Sequence, residues 1–292
     1  NCNKKAKVFK IDIRDFKKTE NAISSFKPEI VYHLAANAAE NKAQFSPVDI
    51  TSRNFDGSIK VLTASIRSGV KKFIFTSSIA VYGSLQTPFR EKDKAIPEDL
   101  YGVSKLAFEE SLKILSKVHK FEYVITRPHN VYGPRQNMTD PYRNVVTIFM
   151  NSILQNKPYY IYGKGNQRRC FSYIDDVVKA LVKCSSSKLS GITFNIGSDS
   201  DCSVKELSDS ILRITNSNLK PIYISERPQE VKIAISDHKL SKKYLKYEDR
   251  TSLEKGLTKT WEWVKSEGYK KPKFNTIEID SPLLPENWKI SK

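Results

Sequence analysis

Short apolar runs alternate with helix-length amphipathic stretches from Val8 to Arg127, and that rhythm limits the fold more than any other feature of the chain. Val8–Ile13, Glu29–Ala36, Lys72–Ser78 and Glu122–Arg127 read as strands. Between them lie helix patterns at Phe16–Phe26, at Val48–Ser68 (stopped by Gly69) and at Leu100–Lys120. Runs such as Phe73-Ile74-Phe75 are apolar at every position, which suits strands covered on both faces. Strands of that kind in strand–helix–strand order predict an α/β fold, a doubly wound parallel sheet with helices on both sides.

Beyond Gly133 the rhythm loosens. Helices are expected over Pro141–Asn156, Asp175–Ser187, Ser203–Thr215 and Ser252–Glu267, the last ended by Gly268. Strands are expected over Tyr159–Tyr162, Ile192–Ile196 and Pro221–Ser225. Ser203 with Glu206 three residues on has the form of a capping box. Lys271–Lys292 has three prolines and little periodicity, so it reads as an extended tail.

Composition narrows the functional classes. The net charge of +17 comes from Lys and Arg scattered along the chain, the pattern of Lys-rich solvated faces. It suits an anionic substrate without requiring one, and leaves an RNA-binding or scaffold role as an alternative of a different class. The polar start, Asn1 to Lys7, has no secretory pattern, and no run of 18 apolar residues occurs, so no membrane partner is expected. Cys2, Cys170, Cys184 and Cys202 lack paired spacing, as do the histidines at 33, 119, 129 and 238. Reduced thiols, a cytoplasmic setting and no metal are the expectation.

The chemistry concentrates at Tyr101-Gly102-Val103-Ser104-Lys105, at the start of a helix. Residues four apart share one helix face, so Tyr101 and Lys105 are neighbours. A phenol with an ordinary pKa near 10 is a poor base at neutral pH, whereas a nearby ammonium and the positive helix start both favour phenolate. Upstream, the buried strand Lys72–Ser78 runs into Thr76-Ser77-Ser78, which puts hydroxyls at a strand's C-terminal end, the ligand-binding edge of open α/β sheets.

A dinucleotide-binding sheet normally opens with a strand, a Gly-rich turn and a helix, because backbone N–H groups there must meet the pyrophosphate. No G-x-G-x-x-G or G-x-x-G-x-x-G occurs in the chain. The first strand stands where such a domain's third would be, so the chain is expected to be a fragment lacking about 30 residues or more.

With these motifs in order, the chain resembles the extended short-chain dehydrogenase/reductase family, and within it the NAD-dependent epimerases of the UDP-glucose 4-epimerase type. The matching stretches are Asp12-Ile13-Arg14-Asp15, His33-Leu34-Ala35-Ala36, Asn54 with Gly57, and Phe75-Thr76-Ser77-Ser78 leading to Val81-Tyr82-Gly83. Tyr101 and Lys105 follow, then Arg127 through Arg135 and Arg169 through Asp176. The resemblance implies a Rossmann-like sheet over 1–133 without its first βαβ unit, sharing parts of 159–200 and 221–240. A smaller α/β substrate domain would span 134–270, and a tail 271–292.

The resemblance also implies roles. Tyr101 would be the base, Lys105 would lower its pKa and hold the nicotinamide ribose, and Ser78 would bond the sugar's C4 oxygen. Asp12 and Ile13 would meet the adenine, and Leu34, Ala35, Ala36 and Ala38 would line the NAD. Asn54, Thr76 and His129 would lie near it. Asn130 would contact the diphosphate, Arg169 and Arg227 would pair with its phosphates, and Tyr160 to Tyr162 would flank the base. The partner would be a nucleotide-sugar, and the assembly a homodimer formed through Val48–Ser68 and Leu100–Lys120.

Two positions separate the reactions within the family. Dehydratases resembling this chain carry Asp-Glu directly after the serine position, because eliminating water needs an acid and a base. Nucleotide-sugar decarboxylases typically keep the Glu. Here Ile79 and Ala80 stand there and cannot move a proton, which favours epimerisation over dehydration or decarboxylation. Ala234, seven residues after Arg227, is small where bulk would exclude an N-acetyl group, so acetamido sugars are expected to fit.

Overall fold

Phe73 and Phe75 join one hydrophobic cluster and Ile74 another, so the strand that carries them is covered on both faces. The structure, a computed structural model, describes residues 3–275 and 277–289. The first half of the chain forms α1 (Phe16–Phe26), β1 (Ile30–His33), α2 (Glu40–Ala43), α3 (Pro47–Thr51), α4 (Gly57–Arg67), β2 (Lys72–Thr76), α5 (Leu100–His119) and β3 (Glu122–Pro128). Next come β4 (Val131–Tyr132), α6 (Val145–Ile153), β5 (Tyr160–Tyr162), β6 (Arg168–Arg169), β7 (Ser172–Tyr173), α7 (Ile174–Lys183) and β8 (Ile192–Ile196). The last elements are β9 (Cys202–Ser203), α8 (Val204–Thr215), β10 (Ile222–Ile224), β11 (Ile233–Ala234), α9 (Lys239–Leu245) and α10 (Leu253–Glu267).

The central sheet runs β1-β2-β3-β8, every pair parallel, with Phe75 beside His33 on one side and Ile125 on the other. One face carries Phe73, Phe75 and Ile125 against Leu62 of α4 and Phe108 and Leu112 of α5. The other carries Ile74, Val124 and Phe194 against Val177 and Leu181 of α7 and Leu245 of α9. This is the doubly covered parallel sheet that the apolar runs predict. A further cluster joins Phe149 and Met150 of α6 to Leu207 and Ile211 of α8 and Leu257 and Val264 of α10. The capping box at α8 forms as expected, Ser203 Oγ accepting from the Glu206 N–H and the Glu206 carboxylate from the Ser203 N–H.

Three expectations need correction. Val8–Ile13 is not a strand: among the described residues it has no ladder partner, and Val8 and Phe9 stay exposed. A strand is defined by its neighbour's hydrogen bonds, which apolar content alone cannot supply. Val48–Ser68 is not one uniform helix, because a π turn over Ser52–Asp56 separates α3 from α4. That widened turn holds Asn54 fully buried, its Oδ1 2.8 Å from the Asn37 N–H and its Nδ2 2.9 Å from the Asn37 carbonyl. The helix expected from Pro141 starts only at Val145, since Asn144 is left-handed (φ 66°) and Asp140 closes a turn onto the Tyr142 N–H.

The tail is irregular, as expected, yet it does not hang free. Leu284 and Trp288 are buried, and the Glu278 carboxylate accepts from the N–H groups of Val48 and Asp49, both at 2.8 Å, at the start of α3. Cys170, Cys184 and Cys202 are free thiols, while Cys2 lies outside the described residues. Among the described residues there is no metal-ligand cluster, and no helix long and apolar enough to cross a membrane.

Candidate active site

After β2 the chain stays extended through Ser78 (φ −159°) and then tightens into a short 3-10 turn over Ile79–Tyr82. Ser78 Oγ caps that turn, accepting from the Ala80 N–H at 3.1 Å, so its O–H remains able to donate. Asp99 caps α5 by accepting from the Gly102 N–H at 2.8 Å. Gly102 lets α5 lie directly on the turn, because a Cβ there would sit 2.6 Å from the Ala80 carbonyl oxygen. This approach brings Tyr101 and Lys105 beside Ser78. Lys105 is 1% exposed, donates to the Thr76 carbonyl at 2.8 Å, and lies 5.7 Å from the centre of the Tyr101 ring.

The three side chains open into a cavity of about 790 Å³. Of the residues expected at the cofactor, Leu34, Ala36, Ala38, Thr76, Tyr101, Lys105 and His129 line it. Asp12, Ile13, Ala35 and Asn54 do not. Asp12 turns back on Arg14, 2.6 Å from its Nη2, and Ile13 packs on Gly57. Asn54 spends its amide on Asn37, so it holds the Leu34–Ala38 loop from behind. Ser78, Asn130, Tyr160, Tyr162, Arg169 and Arg227 of the substrate set all line the cavity, while Ala234 lines a small recess beyond Ser78.

The two arginines differ in how they are held. Arg169 makes no ion pair among the described residues, and it donates to the carbonyls of Arg168, Val231 and Lys232 at 2.9, 2.5 and 3.3 Å. Its positive charge is therefore left for an anion. Arg227 is paired, its Nη2 2.6 Å from Glu230 Oε1, and its guanidinium stacks 4.1 Å from the centre of the Tyr162 ring. Part of its charge is already answered within the protein.

Burial sets the proton states. It pushes the Tyr101 phenol above its ordinary value, the Glu40 and Asp99 carboxyls act in the same direction, and the Ser78 hydroxyl pulls back. The surroundings of Tyr101 therefore work against the help that Lys105 is expected to give the phenolate. Lys105 itself is lowered to about 7 by burial. Asp99 is raised to about 7, by burial and then by Glu40. Glu40 is raised by burial, against the pull of Arg169 and Arg227.

Glu40, Asp99 and Trp288 are members of this site that sequence reasoning missed. Glu40 and Asp99 share the recess with Ser78, and Trp288 walls the cavity beside Tyr162. Their signal is tertiary, although Asp99 is legible as an N-cap just before Tyr101. Several buried polar atoms on cavity-lining residues have no protein partner: Thr76 Oγ1, Ser77 Oγ, His129 Nδ1 and Trp288 Nε1. Such orphans fit a ligand rich in hydroxyl and phosphate groups.

The family model described as the NAD dependent epimerase/dehydratase family matches residues 1–197. The chain belongs to that family. Its relatives within the family catalyse different reactions. It is 31% identical to UDP-N-acetyl-alpha-D-glucosaminuronate decarboxylase of Bacillus cytotoxicus, over 81% of this chain and 77% of the relative. It is 32% identical to mouse dTDP-D-glucose 4,6-dehydratase, over 89% of this chain and 72% of the relative. The solved structure of UDP-glucose 4-epimerase with UDP-glucose from Thermotoga maritima superposes with a TM-score of 0.86 at 32% identity, covering 91% of this chain and 86% of that one. Relatives of this epimerase/dehydratase-family chain thus carry three different activities.

Proposed function

We propose that the protein is an NAD-dependent nucleotide-sugar 4-epimerase. The observation that carries this reading is the pair Ile79 and Ala80, which follow Ser78 in the catalytic turn and present no acid or base. NAD, when bound, would supply reversible hydride acceptance at C4, and Leu34, Ala36, Ala38, Thr76, Lys105 and His129 would hold it.

The chain's own groups do the rest. Ser78 donates its O–H to the sugar's O4 and orients it. Tyr101 takes the O4 proton during oxidation and returns it on reduction. Burial favours the phenol, so Tyr101 would first release its own proton to solvent, helped by the positive charge that an oxidised nicotinamide ring would bring, and the phenolate would then accept the O4 proton. Lys105 holds the ribose side of that arrangement. Arg169 neutralises the diphosphate, and the Tyr162–Arg227 stack receives the base, taken as uracil from the relatives. The small side chain of Ala234 in the recess beside Ser78 supports acceptance of an acetamido group. Val103, Ile114 and Val118 lie exposed on α5 and support a homodimer through that helix.

Elimination is the second reading, favoured by the Glu40 and Asp99 carboxyls at the Ser78 end of the cavity. Turnover in deuterated water separates the two. A 4-epimerase product carries no solvent deuterium on carbon, because the hydride returns to C4. Deuterium at C5 of the product would establish elimination instead.

A further inference from the structure

Glu40 opens α2 within four residues of the Leu34–Ala38 loop, and its side chain lines both the main cavity and the recess behind Ser78. It is partly buried, yet its carboxyl makes no hydrogen bond or ion pair among the described residues. Its α2 neighbour Lys42, by contrast, points elsewhere, lying 3.7 Å from Asp49 and over the Tyr142 ring. The groups sharing the recess with Glu40 are Asp99, Ser78, Asn130 and Arg169. Arg169 pulls on the Glu40 carboxyl across this recess, so the recess holds two carboxyls, Glu40 and Asp99, against one guanidinium.

We propose that Glu40 is a specificity-determining residue that selects neutral or amino sugars and rejects sugars bearing a carboxylate. The inference rests on the nucleotide-sugar reading above and adds the substrate class. A hydroxyl or ammonium on the sugar can donate to the unpartnered carboxyl. A uronate would instead bring a second carboxylate into a space that already holds Glu40 and Asp99, where like charges in a poorly solvated site repel strongly. The decarboxylase relative named above acts, by its name, on a uronate, a substrate class that this residue would disfavour in the present chain.

Calorimetric binding of UDP, UDP-glucose and UDP-glucuronate to the protein and to its Glu40→Gln variant tests this. The native protein is expected to bind UDP-glucose at least about tenfold more tightly than UDP-glucuronate. Glu40→Gln, which keeps the shape and removes the charge, is expected to close most of that gap by gaining affinity for UDP-glucuronate relative to UDP-glucose. If UDP binds but UDP-glucuronate matches UDP-glucose in the native protein, or the ratio is the same in the variant, the role of Glu40 is overturned. If UDP fails to bind, the nucleotide-sugar reading falls and this inference with it.

Discussion

Arg127 and Glu109 face each other in a buried two-pronged pair, Nε 2.9 Å from Oε1 and Nη2 2.6 Å from Oε2. The pair joins β3 to the middle of α5, one turn beyond Lys105. Arg127 also donates at 2.7 Å to the Tyr82 hydroxyl, which in turn donates at 2.8 Å to Asn195 Oδ1 on β8. One network thus fixes α5, the turn after Ser78 and two strands against each other.

Removing one partner strands the other in a dry interior. Glu109→Ala is expected to lower unfolding free energy by about 3–5 kcal/mol. Replacing both residues by apolar ones of similar size should recover most of it. Urea unfolding checks both; a loss under about 1 kcal/mol for the single variant would mean that the pair is worth no more than a surface one.

Lys105 is held near neutral by burial, so the folded state disfavours its charged form. Between the folded value of about 7 and the unfolded 10.5, the unfolded chain binds the extra proton and stability rises with pH. Lys105→Met should therefore be more stable than the native protein at pH 6, with the advantage fading toward pH 10, while turnover is lost. Thermal unfolding at pH 6, 8 and 10 measures this, and a destabilised variant at pH 6 would refute it.

Asp99 behaves in the opposite sense. Its folded value of about 7 lies above the ordinary 3.8, so the folded state holds the proton and stability falls as pH rises across that window. Asn caps a helix as well as Asp, so Asp99→Asn should match the native protein near pH 4 and exceed its stability at pH 8. Equal melting temperatures at both values would show that Asp99 is solvated.

Trp288 is 1% exposed and touches the rings of Phe45, Tyr142 and Tyr162. Trp288→Ala should cost about 3 kcal/mol of stability and weaken UDP binding, since it removes a wall of the cavity. Unchanged UDP affinity would confine the tail to a packing role.

These residues also show what the sequence could and could not disclose. Tyr101 and Lys105 were legible because four residues of helix place them together whatever surrounds them. The Ser203–Glu206 box was legible for the same reason. Val8–Ile13 misled because its apolar content fits a strand, yet pairing depends on a neighbour elsewhere in the chain. Asn54 was found by its motif, but only the π turn reveals that its amide is spent on Asn37. Glu40 and Trp288 stayed hidden, because a helix start and an irregular tail reach the cavity only through tertiary packing. The surroundings of Tyr101 stayed hidden for a related reason: spacing shows the Lys105 neighbour but neither the burial nor the two acids.

The most direct test of the account is to follow UDP-glucose by proton NMR in the presence of the protein and NAD. The account expects UDP-galactose to appear up to the equilibrium ratio, with Tyr101→Phe slowing it by about 10²–10⁴-fold. Formation of a 4-keto-6-deoxy sugar in place of UDP-galactose would contradict it.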